Sequence, residues 1–134
     1  MKKNPDILHK HMIVRSEILY PVRNVDEINK WLIDLVKKLN MNILMGPYSI
    51  YCNKEGNKGI TGFVIIETSH IVIHIWDELD IPIAQLDVYT CGELSEKDVF
   101  DHIQYLKPKK IEWKYLDRIT NLNVVSRGLI EIEF

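Results

Sequence analysis

Cysteine is scarce in this sequence: Cys52 and Cys91 are the two thiols among 134 residues. One disulfide could join them, but the first five residues, MKKNP, lack the apolar core of an export signal. Proteins that stay in a reducing cytoplasm keep their thiols free. We therefore expect a cytoplasmic protein with two free cysteines rather than a disulfide-stabilised secreted one.

Long apolar runs and a surplus of one charge are also missing. The longest apolar run falls far short of the ~20 residues that a membrane-spanning helix needs. The 17 lysines and arginines are balanced by 19 acidic residues, which gives a net charge of −2 and no basic footprint for nucleic acid. The chain is 46% hydrophobic and 27% charged, as globular domains are, and its length predicts a single domain, residues 1–134.

Sequence motifs for metals and phosphates are lacking as well. His9 and His11 could begin a metal site, but no third ligand follows at a suitable spacing, so the sequence predicts none. Two glycines flank Lys58 without the Gly-Lys-Ser/Thr motif or the following helix of a phosphate-binding loop. Residues 52–59 are therefore expected to form a solvated turn between two strands.

What the sequence does contain is a succession of strand and helix patterns. Asn24 followed by Glu27 predicts the start of one helix, and Ser95 predicts the start of a second that Pro108 stops. Strands are expected at 11–19, 42–51 with a break at Gly46-Pro47, 63–66, 71–76, 83–89 and 111–116, with one or two more in 124–134. The predicted fold class is α+β, a two-layer sandwich with a mainly antiparallel sheet and helices on one face.

The groups suited to nucleophilic chemistry are concentrated between residues 62 and 92. A hydroxyl, two imidazoles and a thiol lie there at strand edges, from Ser69 to Cys91. Alternation along the strand 71–76 places His74 on the face opposite three isoleucines. The same pattern also fits a surface strand with a half-exposed histidine and an inert buried thiol.

The sequence TSHIVIHIWDE, residues 68–78, is followed by DVYTCG at 87–92. Together they resemble the signature of the prokaryotic S-adenosylmethionine decarboxylase proenzymes, Glu-Ser-His-x-x-x-His-Thr-Trp-Pro-Glu and then Asp-(apolar)-(aromatic)-Thr-Cys-Gly. The spacing matches without a gap from Ser69 to Glu78, and a slightly longer link precedes Cys91. The similarity extends over roughly residues 11–118, and a combination of this length is unlikely to arise by chance.

The resemblance implies a chain that cuts itself before Ser69 into fragments 1–68 (β chain) and 69–134 (α chain). The serine hydroxyl attacks the preceding carbonyl to form an ester, and β-elimination leaves a pyruvoyl group, derived from Ser69, as the cofactor. Its ketone forms a Schiff base with S-adenosylmethionine and withdraws electrons as CO2 leaves, so that neither metal nor pyridoxal phosphate is needed. The product would supply spermidine biosynthesis.

Further roles follow from the resemblance position by position. Thr61 and His74 match the processing pair, and Cys91 matches the acid that returns a proton to the substrate. Glu78 becomes the ligand of the ribose hydroxyls, or else a solvated loop carboxylate. Tyr51 becomes a stacking ring for the substrate, or else a cross-strand packing aromatic. The implied assembly is a homodimer of cleaved protomers with active sites near the subunit interface.

Three departures from the family pattern bear on the predicted chemistry. Thr68 replaces the glutamate before the serine, Thr61 replaces a serine, and Asp77 replaces a proline. Two alternatives therefore remain: a pyruvoyl-dependent decarboxylase of another amino acid, arginine or ornithine, and an uncleaved, non-catalytic paralogue. The sequence gives no functional prediction for residues 119–134.

Overall fold

A computed structural model describes residues 8–133; the amino-terminal segment 1–7 and Phe134 at the end of the last expected strand lie outside the described residues. The elements, in chain order, are β1 Lys10–Ile18, α1 Val25–Lys38, β2 Ile43–Cys52, β3 Gly59–Ile66, β4 Ser69–Trp76, β5 Ile83–Thr90, α2 Glu96–Ile103, β6 Pro108–Asp117 and β7 Asn123–Glu131. The seven strands form one sheet in the order β2-β3-β4-β5-β1-β6-β7. Every pairing is antiparallel, which confirms the predicted fold class.

The first strand, β1, lies inside the sheet rather than at its edge. Val14 pairs with Leu86 of β5 on one side and with Trp113 of β6 on the other. After β1, the chain forms β2 to β5, which are consecutive neighbours in the sheet. β5 then pairs with one side of β1, and β6 pairs with the other side. An early strand thus joins two parts of the sheet that are formed later in the sequence.

Alternate residues of the strands face the two helices. In β4, Ile71, Ile73 and Ile75 are buried on the helix side, while His74 is partly exposed on the other side, as the alternation predicted. The apolar stripe of α1 covers this sheet face through Ile28, Trp31, Leu32, Leu35 and Val36. The opposite face of the sheet, here called the open face, carries His11, His70 and His74 together with charged residues such as Asp87.

Both helices begin at the predicted caps. The side chain of Asn24 accepts a hydrogen bond from the N–H of Glu27 at 3.0 Å, and Ser95 accepts one from the N–H of Asp98 at 3.2 Å. The second helix ends before Pro108, because the chain tightens into a 3-10 turn at Gln104–Leu106. Pro108 begins β6 instead of only stopping a helix.

Several strand boundaries differ from the sequence prediction, and both β3 and β6 begin earlier than expected, at Gly59 and Pro108. Strand β2 runs through Gly46-Pro47 as a bulged strand, because Gly46 adopts a φ of 91° that a larger residue would resist. The polar break after β3 shrinks to Glu67 and Thr68, since Ser69 already pairs with β3. The carboxy-terminal segment forms one strand, β7, in agreement with the one or two predicted there.

None of the helices in residues 8–133 is both long enough and apolar enough to cross a membrane. The two cysteines are unpaired: Cys52 is exposed and Cys91 is partly exposed.

Candidate active site

Ser69 stands at the first position of β4, directly after the two-residue turn that joins β3 and β4. Its side chain is buried, and its residue is only 6% exposed. The hydroxyl accepts a hydrogen bond from the backbone N–H of Cys91 at 2.8 Å and donates one to the carbonyl oxygen of Glu67 at 3.0 Å. Backbone groups therefore fix the orientation of this hydroxyl both as an acceptor and as a donor.

Cys91 reaches the same turn from the end of β5. Its thiol donates to the carbonyl oxygen of Glu67 at 3.1 Å, the oxygen that also accepts from Ser69. Pairing of β4 with β5 brings the two side chains together across the intervening sequence. A hydroxyl and a thiol, the predicted nucleophile and the predicted acid, thus meet at one carbonyl group.

The residue before Ser69 has an unfavourable backbone conformation. Thr68 is exposed and has a φ of 50°, in the left-handed region that β-branched residues rarely enter. Such a conformation costs on the order of 1–3 kcal/mol. The peptide bond between Thr68 and Ser69 therefore lies in an exposed, strained turn.

Thr61 and His74 form a second polar pair, on the open face. They are opposite each other in the β3–β4 ladder, and the Thr61 hydroxyl lies 2.8 Å from Nδ1 of His74. The ring of His74 also packs against the indole of Trp76, with ring centroids 5.9 Å apart. The predicted processing pair is thus assembled within one chain.

This pair is distant from Ser69 of the same chain. Five steps of extended strand separate Ser69 from His74, roughly 17 Å at about 3.4 Å per residue. The two side chains also point to opposite faces, since Ser69 shares the buried phase of β4 and His74 does not. One chain therefore holds Ser69, the predicted nucleophile, and the imidazole of His74 at two separate places.

A cavity of about 140 Å³ adjoins the imidazole of His74. Its lining includes Cys52, Asn57, Thr61 and Trp76. Glu78 follows at the end of β4, where its carboxylate accepts from the N–H of Gly56 at 3.1 Å and pairs with Lys58 at 3.8 Å. In this structure Glu78 therefore anchors the 53–58 loop beside the cavity, with its side chain 39% exposed.

Tyr51 does not line this cavity. It pairs with Ile60 and packs against the core on the helix side of the sheet, and its hydroxyl donates to Asp77 at 2.7 Å. The hydrogen bond to Asp77 raises the pKa of Tyr51. Asp77, which replaces the family's proline, also pairs with Arg23 at 3.2 Å. These contacts favour the packing interpretation of Tyr51 over the stacking one.

A cluster on the open face was not predicted from the sequence. Nε2 of His11 lies 2.6 Å from Oδ1 of Asp87, and Nε2 of His70 lies 3.1 Å from the same oxygen. The ring of Tyr89 packs against both imidazoles at 5.6 Å. The sequence around His9 and His11 contains no third metal ligand at a suitable spacing. The fold nevertheless places two further potential ligands beside His11, namely His70 from β4 and Asp87 from β5. Pairing of β1 with β5 creates this cluster.

The carboxylate of Asp87 is stabilised in its charged form. Its partial burial would raise the pKa, but the hydrogen bonds and charges of His11 and His70 outweigh burial and lower it. An ionised carboxylate only accepts hydrogen bonds. Both imidazoles therefore donate to Asp87 from their Nε2 atoms.

Comparison with known proteins identifies relatives of this arrangement. The family model described as S-adenosylmethionine decarboxylase matches residues 15–119. The S-adenosylmethionine decarboxylase proenzyme of Methanococcus maripaludis strain C7 is 35% identical over 108 residues, 79% of this chain and 76% of the relative. That of Pyrobaculum arsenaticum is 48% identical over 64 residues, 46% of this chain and 50% of the relative.

A solved structure agrees with these sequence matches. The crystal structure of the adenosylmethionine decarboxylase from Aquifex aeolicus VF5 superimposes with a TM-score of 0.63 and 28% identity. The superposition covers 96% of this chain and 98% of the other. The sequence match and the shared fold lead to one conclusion: the chain belongs to the S-adenosylmethionine decarboxylase family.

Proposed function

We propose that this chain is the proenzyme of an S-adenosylmethionine decarboxylase and that it cuts itself between Thr68 and Ser69. The observation that carries the proposal is the meeting of the Ser69 hydroxyl and the Cys91 thiol at the carbonyl of Glu67, in a chain of this family. Cleavage yields fragments 1–68 and 69–134, and Ser69 becomes the pyruvoyl group.

The geometry at Ser69 fits the conversion of this serine. Its Oγ attacks the carbonyl carbon of Thr68, the C–N bond breaks, and an ester forms. Elimination then breaks the Cβ–Oγ bond of Ser69 and leaves a carboxylate on fragment 1–68; hydrolysis of the resulting enamine releases ammonia and leaves a ketone. The N–H of Cys91 holds Oγ in place at 2.8 Å, and the strained φ of Thr68 raises the energy of the uncut turn.

Cys91 is the proposed proton donor for the substrate. The ketone of a pyruvoyl group supplies the electron sink for decarboxylation. Afterwards a proton must be delivered to the former α-carbon, and the Cys91 thiol already lies beside residue 69, within hydrogen-bond range of the same carbonyl.

The separation of His74 from Ser69 supports a site shared by two chains. A processing base must come within hydrogen-bond reach of the reacting group, and within one chain His74 is too distant. In a homodimer, the Thr61–His74 pair of one chain would serve the Ser69 turn of the second copy. The proposed assembly is therefore a homodimer.

Exposed apolar residues on the open face support the same assembly. Ile13, Tyr48 and Ile50 are 45%, 56% and 71% exposed in the single chain. Ile50 is the ladder partner of Thr61, so this apolar surface is continuous with the processing pair. Covering it with a second sheet would remove apolar area from water and close the site to solvent.

S-adenosylmethionine is the proposed substrate, with Glu78 as the ligand of its ribose hydroxyls. The partly exposed Glu78 carboxylate is beside the His74 cavity and its present partners are a loop N–H and a lysine at 3.8 Å, so exchange for a diol is feasible. Decarboxylation of arginine or ornithine is the less favoured alternative, because the family match points to S-adenosylmethionine.

Mass spectrometry of the purified protein tests the proposal. We expect two species with the masses of 1–68 and of 69–134 carrying a blocked amino terminus, together with CO2 release from S-adenosylmethionine. Ser69→Ala is the matched control and should remain a single, folded chain. An intact parent chain with a free Ser69 hydroxyl after long incubation would refute the proposal.

A further inference from the structure

The hydrogen-bonded cluster of His11, His70 and Asp87 has no part in the chemistry assigned above. It spans three neighbouring strands, β1, β4 and β5, on the open face. Its central atom is Oδ1 of Asp87, which accepts from His11 at 2.6 Å and from His70 at 3.1 Å. His70 is the residue directly after Ser69.

Cleavage changes what holds this end of β4. In the uncut chain the turn through Glu67 and Thr68 ties residue 69 to β3. After the cut, residue 69 is a chain terminus, and termini fray unless they are held. His70 is then the first residue with an intact side chain. Its backbone remains paired with Ile65 of β3 and Tyr89 of β5, and its side chain is held by Asp87 and by the ring of Tyr89, 5.6 Å away.

We propose, on the basis of the function proposed above, that Asp87 is a positioning residue that keeps His70, and with it the ketone at residue 69, fixed beside Cys91 after the chain is cut. The contact between Asp87 and His70 is here called the anchor. His11 contacts Asp87 from β1, so a strand of the other fragment supports the anchor. Misplacement of a reacting group by about 1 Å can cost on the order of a hundredfold in rate.

The same three side chains could instead bind a metal ion. Their ligand atoms all lie within 4.8 Å of one another, and two histidines with one aspartate form a known ligand set for zinc. The guanidinium of Arg118, however, lies 3.3 Å from Nδ1 of His11 and 4.5 Å from the centre of the Tyr89 ring. This fixed positive charge opposes a second cation, so the anchor is the stronger interpretation.

Asp87→Asn tests the anchor, with Glu112→Gln as the matched control. Glu112 is a carboxylate on the neighbouring strand β6 that pairs with Arg15 at 3.4 Å across the β1–β6 ladder. Cleavage and turnover of the parent are measured first, because their failure would refute the proposed function and would leave the anchor aside. For Asp87→Asn we expect normal cleavage, a kcat per pyruvoyl group that is roughly ten- to a hundredfold lower, and little change in KM. Glu112→Gln should retain the parent kcat.

The ¹⁵N signals of the histidine rings give a readout that does not depend on turnover. In the parent, His70 should be the tautomer with hydrogen on Nε2, and Asp87→Asn should convert it to a mixture. A parent-like kcat in cleaved Asp87→Asn, or a folded variant that fails to cleave, would overturn the proposal. Saturable, stoichiometric zinc binding that Asp87→Asn abolishes would do so too, because the cluster would then be a metal site.

If Asp87→Asn does not fold, His11→Phe, which keeps a ring but has no hydrogen-bond donor, provides the second test. This change leaves the contact between His70 and Asp87 intact but removes the support from β1. A kcat per pyruvoyl group that is reduced by less than a hundredfold supports the anchor, whereas a parent-like kcat overturns it.

Discussion

The hydroxyl of Thr61 lies 2.8 Å from Nδ1 of His74, on the face of the sheet opposite the helices. We expect His74→Ala to cleave slowly or not at all, because the substitution removes the imidazole proposed to act as the base at the ester. Thr61→Val, which removes the hydroxyl and keeps the shape, should also slow cleavage, whereas Thr61→Ser should not. Electrophoresis over time measures the rates; rapid cleavage of His74→Ala would contradict the assigned role.

Co-expression tests whether two chains share the site. Ser69→Ala cannot be cut, and His74→Ala lacks the base, so each alone should stay intact. In a mixed dimer, the His74 of the Ser69→Ala chain can serve Ser69 of the His74→Ala chain. Differently tagged chains should therefore show cleavage of the His74→Ala chain only when both are present. Absence of cleavage in a mixture shown to contain mixed dimers would argue against a shared site.

Cys91→Ala separates maturation from turnover. The backbone N–H that holds the Ser69 hydroxyl survives this substitution, so cleavage should proceed. Turnover should be lost, and misplaced protonation should convert the pyruvoyl group to an amino-terminal alanine, visible by mass spectrometry. Cys52→Ala is the control for the loss of a thiol. Parent-like turnover of Cys91→Ala would remove Cys91 from the proposed mechanism.

Glu78→Gln addresses substrate recognition. Loss of a charge-assisted hydrogen bond to the ribose should cost roughly 1.5–3 kcal/mol, or about ten- to a hundredfold in kcat/KM for S-adenosylmethionine, with cleavage unchanged. Glu55→Gln, at an exposed position of the adjacent loop, is the matched control. Steady-state kinetics with S-adenosylmethionine and with arginine decide: an unchanged kcat/KM, or turnover of arginine alone, would reject this role.

His102 couples the packing of the two helices to pH. Burial lowers its pKa, and its ring nitrogen donates to the carbonyl of Trp31 at 2.7 Å. The unfolded chain therefore takes up a proton near pH 6.5, before the folded chain does. Stability should fall as the pH drops from about 6.5 towards the lowered pKa, and His102→Gln should show a smaller fall. Urea unfolding between pH 7.5 and 5 measures the difference.

Local patterns accounted for the helices but not for every contact of the site. The caps at Asn24 and Ser95 depend on residues three positions apart, so the sequence displays them directly. The face of Tyr51 depends on the bulges of β2 near Gly46, which shift the alternation and are invisible to a simple period of two.

The cluster around Asp87 shows a second limit. Its members come from β1, β4 and β5, and β1 pairs with β5 only after more than sixty residues of intervening chain. Neither periodicity nor motif spacing specifies which strand lies beside which. The pair formed by Ser69 and Cys91 was easier to anticipate, because the resemblance supplied both residues together.

The interior position of β1 also governs how a cut chain would come apart. Fragment 1–68 would keep β1, β2 and β3, while fragment 69–134 would keep β4 to β7. Three ladders, β3–β4, β1–β5 and β1–β6, would then join two molecules rather than two parts of one. Unfolding becomes a dissociation, so its midpoint rises with protein concentration and reassembly follows second-order kinetics. A precursor that folds as one chain acquires this topology in a single molecule, whereas its two separated fragments would have to reassociate to recover it.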